Sequence, residues 1–351
     1  MKQIIVIALC VCLTSISLAA CGGGGGGGGS SGSSGGSGGS GSGGGSGDGS
    51  SSDARLSVVA TIFAPYDFAR AIAGGESEAD IAMLLPPGSE THSFEPTPQD
   101  IIKIQNCDVF IYVGGESDAW VKEVLGSMDT SGMKIVTLMD CVEAVEEETV
   151  PGMQGDDGAD ADGGGAEGNG GEAEEPEYDE HVWTSPRNAK LIVQKISAAL
   201  CEADAAGADA YTANTAAYLE KLDELDAAFS AVVDSGVRRT MVFGDRFPFR
   251  YFADAYGLTY FAAFPGCATE TEASAATVKF LIDKINEEKI PVVFHIELSN
   301  EKMANTICEE TGAKTLLLHS CHNISKADFE AGKTYIGLMS ANAEALKEAL
   351  G

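Results

Sequence analysis

Five histidines carry the most specific chemistry available to this chain: His92, His181, His295, His319 and His322. His92 stands in Leu84-Leu85-Pro86-Pro87-Gly88-Ser89-Glu90-Thr91-His92-Ser93-Phe94-Glu95-Pro96-Thr97-Pro98, where the prolines restrict the backbone and can hold an imidazole still. His181 lies in Asp179-Glu180-His181-Val182-Trp183-Thr184-Ser185-Pro186, directly before a helix start with Ser185 as cap and Pro186 at the first position. His319 follows the apolar strand Thr315 to Leu318, again at a strand's carboxyl end. Singly, each reads as a surface or structural histidine. Together, at the ends of elements in both halves of the chain, they read as neutral imidazoles converging on Zn²⁺, completed by a carboxylate or water. His322, beside Cys321, replaces His319 if the loop turns differently. His295 is mid-strand and reads as a hydrogen-bonded core residue, whereas Glu297 is placed to orient a metal ligand from behind. A secreted zinc hydrolase would need a general base and usually a compact HExxH motif, which the sequence lacks. Capture without catalysis is therefore the leading reading.

The elements that must position these residues alternate in type. Leu56–Thr61, Ala79–Leu85, Val109–Val113 and Lys134–Leu138 read as buried strands, separated by helical stretches at Tyr66–Ala73, Gln99–Gln105 and Ala119–Ser127. A helix from Pro186 to about Glu202 follows, and then a longer one: Tyr211, Tyr218, Leu222, Leu225, Phe229 and Val232 share one face from about Ala208 to Asp234. At 1.5 Å per residue that helix is roughly 40 Å long, enough to cross from one lobe to another. Strands at Thr240–Phe243, Leu258–Ala263, Val292–Ile296 and Thr315–Leu318 repeat the pattern, with helices at Phe249–Tyr256, Glu272–Glu288, Asn300–Thr311 and a last one ending at Leu350. Such alternation predicts two α/β lobes with mainly parallel sheets, joined by the long helix, with ligands outside the carboxyl ends of the strands.

Two tracts fall outside this scheme. Every residue from Gly22 to Ser52 is Gly or Ser except Asp48, a flexible linker with a mean reach of about 30 Å. Residues 143–180 hold 15 Asp or Glu and no Lys or Arg, and read as a disordered acidic insertion that either aids solubility or collects divalent cations loosely. Across 351 residues, 53 acids against 22 bases give a formal charge of −31, which disfavours nucleic acid and anionic lipid surfaces. Ahead of the linker, Lys2 and the apolar run Ile4–Leu18 form an export signal, and Leu18-Ala19-Ala20-Cys21 resembles the lipobox of bacterial lipoproteins, with Cys21 as the lipidated residue. Six cysteines remain beyond it; export permits disulfides, and Cys267 with Cys321, both in loops after strands of the second lobe, form one candidate bridge. A Cys321 thiolate is an alternative metal donor.

The segments Glu90–Pro98 and His181–Pro186 resemble the two metal-binding signatures of the zinc and manganese solute-binding lipoproteins of bacterial ABC importers, the ZnuA or TroA-like group. The resemblance runs over nearly all of Leu56–Leu350, including an insertion before the second ligand and the long connecting helix. It implies two α/β lobes joined by one rigid helix, a single metal in the interlobe cleft, and delivery to a membrane permease driven by a cytoplasmic ATPase. His92 and His181 match the family's first two ligands. Relatives place a His or Glu after the first strand of the second lobe, where this chain reads Phe243-Gly244-Asp245-Arg246-Phe247-Pro248, and Asp245 is the nearest candidate. His319 stands where relatives have Asp, so the implied set is His92, His181 and His319, completed by Asp245, Glu90 or water, with His322 ranked behind His319. Three nitrogens favour zinc over manganese, which tolerates more oxygen ligands.

The expected organisation is a signal peptide at 1–20, lipidated Cys21 and linker at 21–53, a first lobe at 54–207 carrying the insertion, the connecting helix at 208–236 and a second lobe at 237–351. The expected protein is an extracytoplasmic, lipid-anchored monomer that is not an enzyme. Manganese binding by the same class, and a metal-dependent surface adhesin or secreted zinc hydrolase, are the alternatives.

Overall fold

The structure is a computed structural model that describes residues 55–75, 78–90, 94–154, 177–268 and 272–351. The leader, Cys21, the Gly/Ser linker, His92 and the middle of the acidic tract lie outside the described residues. The first lobe holds β1 (Leu56–Ala60), β2 (Ala79–Met83), β3 (Val109–Tyr112) and β4 (Lys134–Thr137) in the order β2-β1-β3-β4, all parallel. The second repeats the plan with β5 (Thr240–Phe247), β6 (Thr259–Pro265), β7 (Val292–His295) and β8 (Lys314–Leu317) in the order β6-β5-β7-β8. In each lobe the first strand sits inside the sheet, and the chain leaves it in opposite directions for its second and third strands. That reversal opens a crevice at the carboxyl ends, where a ligand can reach the backbone.

The helices are α1 (Phe63–Ala73), α2 (Pro98–Gln105), α3 (Ala119–Gly126), α4 (Pro186–Ala203), α5 (Ala208–Ser235), α6 (Arg250–Tyr256), α7 (Ala275–Glu288), α8 (Lys302–Thr311), α9 (Lys326–Glu330) and α10 (Tyr335–Leu350). Helix starts follow local chemistry. Thr97 and Asp100 form a reciprocal capping box at α2, and Ser274 caps α7 through Thr277 N. At α4, Ser185 occupies the cap position but its side chain makes no capping bond; Pro186 supplies the start instead.

One sheet face in each lobe packs under outer helices: Val59, Phe110, Ile104 and Val121 in the first lobe, and Val242, Val293, Leu281 and Ile307 in the second. The other faces share a single apolar cluster that runs from Val58 and Ile111 through Ile192 of α4, Leu222 and Phe229 of α5 and Leu346 of α10 to Phe243 and Phe294. Helix α5, 28 residues and about 42 Å long, is the spine of this shared core. Because apolar burial stabilises by about 25 cal/mol per Å², opening the lobes across this spine would expose side chains that the fold has buried.

The acidic tract is ordered at its ends, a departure from the disordered insertion expected over 143–180. Glu146 bridges Tyr178 antiparallel, Glu147 N donates to Glu177 O, and Asp179 N donates to Val145 O. Met153 and Gln154 are buried, with Gln154 N bonded to Ala263 O of the second lobe. Buried apolar contacts and paired amides override composition here; residues 155–176 lie outside the described residues. The candidate Cys267–Cys321 bridge does not form: all six described cysteines carry free thiols.

Candidate metal site in the interlobe cleft

The cleft site is built from strand ends. Thr61, Leu85 and Val113 follow β1, β2 and β3, while Pro248, Gly266 and Ile296 follow β5, β6 and β7; all six line two small adjoining cavities. His322 lines both. Each cavity has a volume of about 20 Å³, room for about one water-sized body, which suits a single ion and its ligands rather than an organic solute.

His181 is fully buried before α4, and its ring lies 5.3 Å from that of His322, edge to face, with Trp183 packed against both. Its Nδ1 is 3.2 Å from Asp179 Oδ1, and its backbone N–H donates to the same oxygen at 2.8 Å. A carboxylate at Nδ1 holds the proton there and leaves the lone pair on Nε2, the arrangement metal-binding histidines use. Burial would lower the His181 pKa, but the Asp179 carboxylate, aided by Glu180 and Glu147, outweighs it and holds the imidazole above its ordinary value. Space is equally constrained: a Cβ on Gly266 would lie 2.9 Å from Phe247 O and 3.2 Å from the His181 ring. Only glycine lets β6 end this close to the imidazole.

His322 is positioned by the second lobe and tied to the first. Its backbone N–H donates to Glu297 Oε1 at 3.1 Å, and its carbonyl accepts from Phe63 N at the start of α1 at 3.0 Å. Glu297 also accepts from Ser320 N at 2.7 Å and Ser320 Oγ at 2.5 Å, so one largely buried carboxylate clamps the whole turn. Next along, Asn323 Nδ2 reaches Pro86 O and Ser89 O in the loop that leads to His92. Cys321 adopts φ +59° to make this turn, an uncommon conformation for a non-glycine residue, and is fully buried.

The structure brings His181 and His322 together and sends His319 elsewhere. His319 lines a separate cavity of about 170 Å³ with His295, Glu297, Glu301 and Asp328. Its Nδ1 accepts from Cys321 N at 3.0 Å, which puts the proton of the neutral ring on Nε2, so that nitrogen has no lone pair to give. Asp245 does not line the cleft cavities either: it accepts from Arg246 N and Ile296 N, fastening β5 to the end of β7. Glu90 lines the cleft, where Arg246 Nη1 approaches it at 3.2 Å. His295 Nδ1 pairs with Ile296 O, away from the cleft cavities. His92 lies outside the described residues, while Glu90 and Phe94 on either side of its segment line the two cavities.

Sequence reasoning missed Arg246. Between the pairs Phe243–Ala262 and Arg246–Phe264, β5 carries one residue more than β6, a bulge that re-aims the side chains beyond it. The glycine in Gly244-Asp245-Arg246 is the legible signal, since a Cβ at Gly244 would lie 2.6 Å from Ala304 Cα. A second group of donors sits at the neck of the acidic tract, where Glu147, Glu177 and Cys267 bring ligand atoms within 4.8 Å of one another. Burial pushes the Cys267 thiol up, reinforced by Glu147, so that thiol is protonated at neutral pH.

Comparison with known proteins agrees with this architecture. A family model described as ZnuA, zinc-uptake complex component A periplasmic, matches residues 58–349. The zinc-binding lipoprotein AdcA of Streptococcus pneumoniae is 30% identical over 300 residues, 85% of this chain and 56% of that protein, so the chain spans little more than half the length of this relative. The high-affinity zinc uptake system protein ZnuA of Bacillus subtilis is 31% identical over 303 residues, covering 86% of this chain and 89% of that protein. The crystal structure of the Zn(II)-bound ZnuA-like domain of S. pneumoniae AdcA superposes with a TM-score of 0.66 at 28% identity, covering 84% of this chain and 99% of that one. Two parallel sheets around a shared helical spine, a histidine pair at their carboxyl ends and a family match across both lobes lead to one conclusion: the chain belongs to the ZnuA family.

Proposed function

We propose that this protein captures Zn²⁺ in the interlobe cleft and hands it to an ABC-type importer, a membrane permease with its cytoplasmic ATPase. The observation that carries the reading is His181, oriented by Asp179, packed against His322 where both line one cavity of about 20 Å³. His181 and His322 are two of the ligands, His92 is the third, and water completes the shell. His322 thus takes the role that the sequence assigned first to His319, because His319 Nδ1 is spent on Cys321 N–H and its cavity is a different one. Nitrogen donors favour zinc over manganese, in keeping with the zinc-binding names of the relatives.

No helix among the described residues is long and apolar enough to cross a membrane. The attachment we propose is a lipid on Cys21, supported by the Leu18-Ala19-Ala20-Cys21 motif, with the Gly/Ser tract as tether. The folded part then acts as a monomer outside the cytoplasmic membrane. The test is a competition titration with a chromophoric zinc chelator on single variants. His181→Ala and His322→Ala should weaken zinc binding by about a hundredfold or more, whereas His319→Ala should stay within about threefold of the parent. Equal losses for His319→Ala and His322→Ala would refute this ligand set.

A further inference from the structure

Arg246 is a cation lining the cavity that His181 and His322 share. Its Nη1 reaches Glu90 Oε1 at 3.2 Å, across the cleft from the first lobe, and Ala268 O at 3.3 Å. Nε is buried without a hydrogen-bond partner among the described residues, and the side chain as a whole is only 11% exposed. The bulge in β5 and the close fit of Gly244 against Ala304 fix where the residue emerges. A guanidinium does not give up its proton in a protein, so Arg246 can neither ligate a metal nor become neutral for one. It can only compete with the metal for the carboxylate it holds.

We infer that Arg246 is a specificity-determining residue: by holding Glu90, it withholds the oxygen donor at the cavity mouth and selects a cation content with imidazole over one that needs carboxylate. The inference rests on the proposed zinc reading. Zn²⁺ binds well to nitrogen donors with water completing the shell, whereas Mn²⁺ depends more on oxygen. Repulsion between Arg246 and a divalent ion penalises Zn²⁺ and Mn²⁺ alike, so the discrimination rests on the withheld oxygen donor. Glu90 is half exposed and already lines the cavity, so the carboxylate that Arg246 holds lies at its mouth.

The experiment measures Zn²⁺ and Mn²⁺ affinities by chelator competition on the full folded protein and five variants. Arg246→Gln should raise Mn²⁺ affinity about tenfold or more and lower the zinc-to-manganese ratio, and the gain should vanish when Glu90→Gln is added. Arg246→Lys, which keeps the charge, should keep the parental ratio within about threefold. Glu90→Gln alone should leave zinc affinity within about threefold, because Glu90 is engaged by Arg246 and not by the metal. An unchanged or increased ratio in Arg246→Gln overturns the inference, as does a tenfold zinc loss in Glu90→Gln, which would mean that Glu90 bridges metal and Arg246. His181→Ala in the same assay reports separately on the zinc reading: if it binds zinc like the parent, that reading fails whatever Arg246 does.

Discussion

Glu297 offers the sharpest test of how the second lobe presents His322. Its side chain is 8% exposed and its two oxygens accept from Ser320 N, Ser320 Oγ and His322 N. Glu297→Ala orphans Ser320 N, whereas His322 N keeps Ser320 Oγ as an acceptor at 3.2 Å and the Ser320 hydroxyl can rotate to another partner. At about 1–3 kcal/mol for one buried donor left unsatisfied, the loss is about 1–3 kcal/mol, enough to lower Tm by several degrees. Glu297→Gln keeps one acceptor oxygen and should lose about half as much. Removing a group that supports a ligand from behind costs about 10- to 100-fold in metal affinity, so zinc binding should fall by that factor. Urea unfolding of the apoprotein and zinc competition titration read the two effects separately, with the remote exposed Glu344→Ala as control. Should Glu297→Ala be destabilised as expected yet bind zinc within about threefold of the parent, the clamp on the 319–322 turn would not be what places His322.

Two further expectations concern protons. On the proposed ligand set zinc displaces the proton from His181, whose pKa lies above the ordinary imidazole value through Asp179, so affinity should already decline at a pH above about 6.5; Asp179→Asn should move that decline to lower pH. Calorimetry on either side of that pH checks both, and an affinity flat down to about pH 6 would contradict the His181 assignment. Asp118 has its pKa raised to about 6, mainly by burial and also by Glu180, against the Val113 and Gly114 amides that lower it. With a folded pKa above the unfolded 3.8, its contribution to stability is full below that value and is lost as pH rises through about 6. Asp118→Asn, which keeps an acceptor for the two amides, should therefore be more stable than the parent by up to about 3 kcal/mol at pH 8 and equal to it near pH 4. Urea midpoints at the two pH values decide it.

Much was legible in the sequence because it follows from local chemistry. Parallel strands buried on both faces read as continuous apolar runs, so Val109–Tyr112 and Val292–His295 could be found within a residue. Helix α5 showed itself by one repeating apolar face, and α4 by Pro186 at its start. The place of His181 beside the cleft, behind an acid and in front of a helix, could also be read. The family, too, could be read from two short segments.

What tertiary structure alone decided were directions and distances. His319 and His322 differ by three residues, and composition could not say which faces the cleft; the turn clamped by Glu297, with Cys321 at positive φ, sends one ring inward and spends the other on a backbone amide. Asp245 and Arg246 are neighbours, yet a one-residue bulge turns the acid to the backbone and the base into the cavity. The ends of the acidic tract are ordered because they meet the second lobe, a contact that charge counting cannot foresee. Sequence determines where strands and helices form, since that depends on neighbours along the chain. Which side chains share a cavity depends on how loops from two lobes meet across a common core, and that is settled only when the core packs.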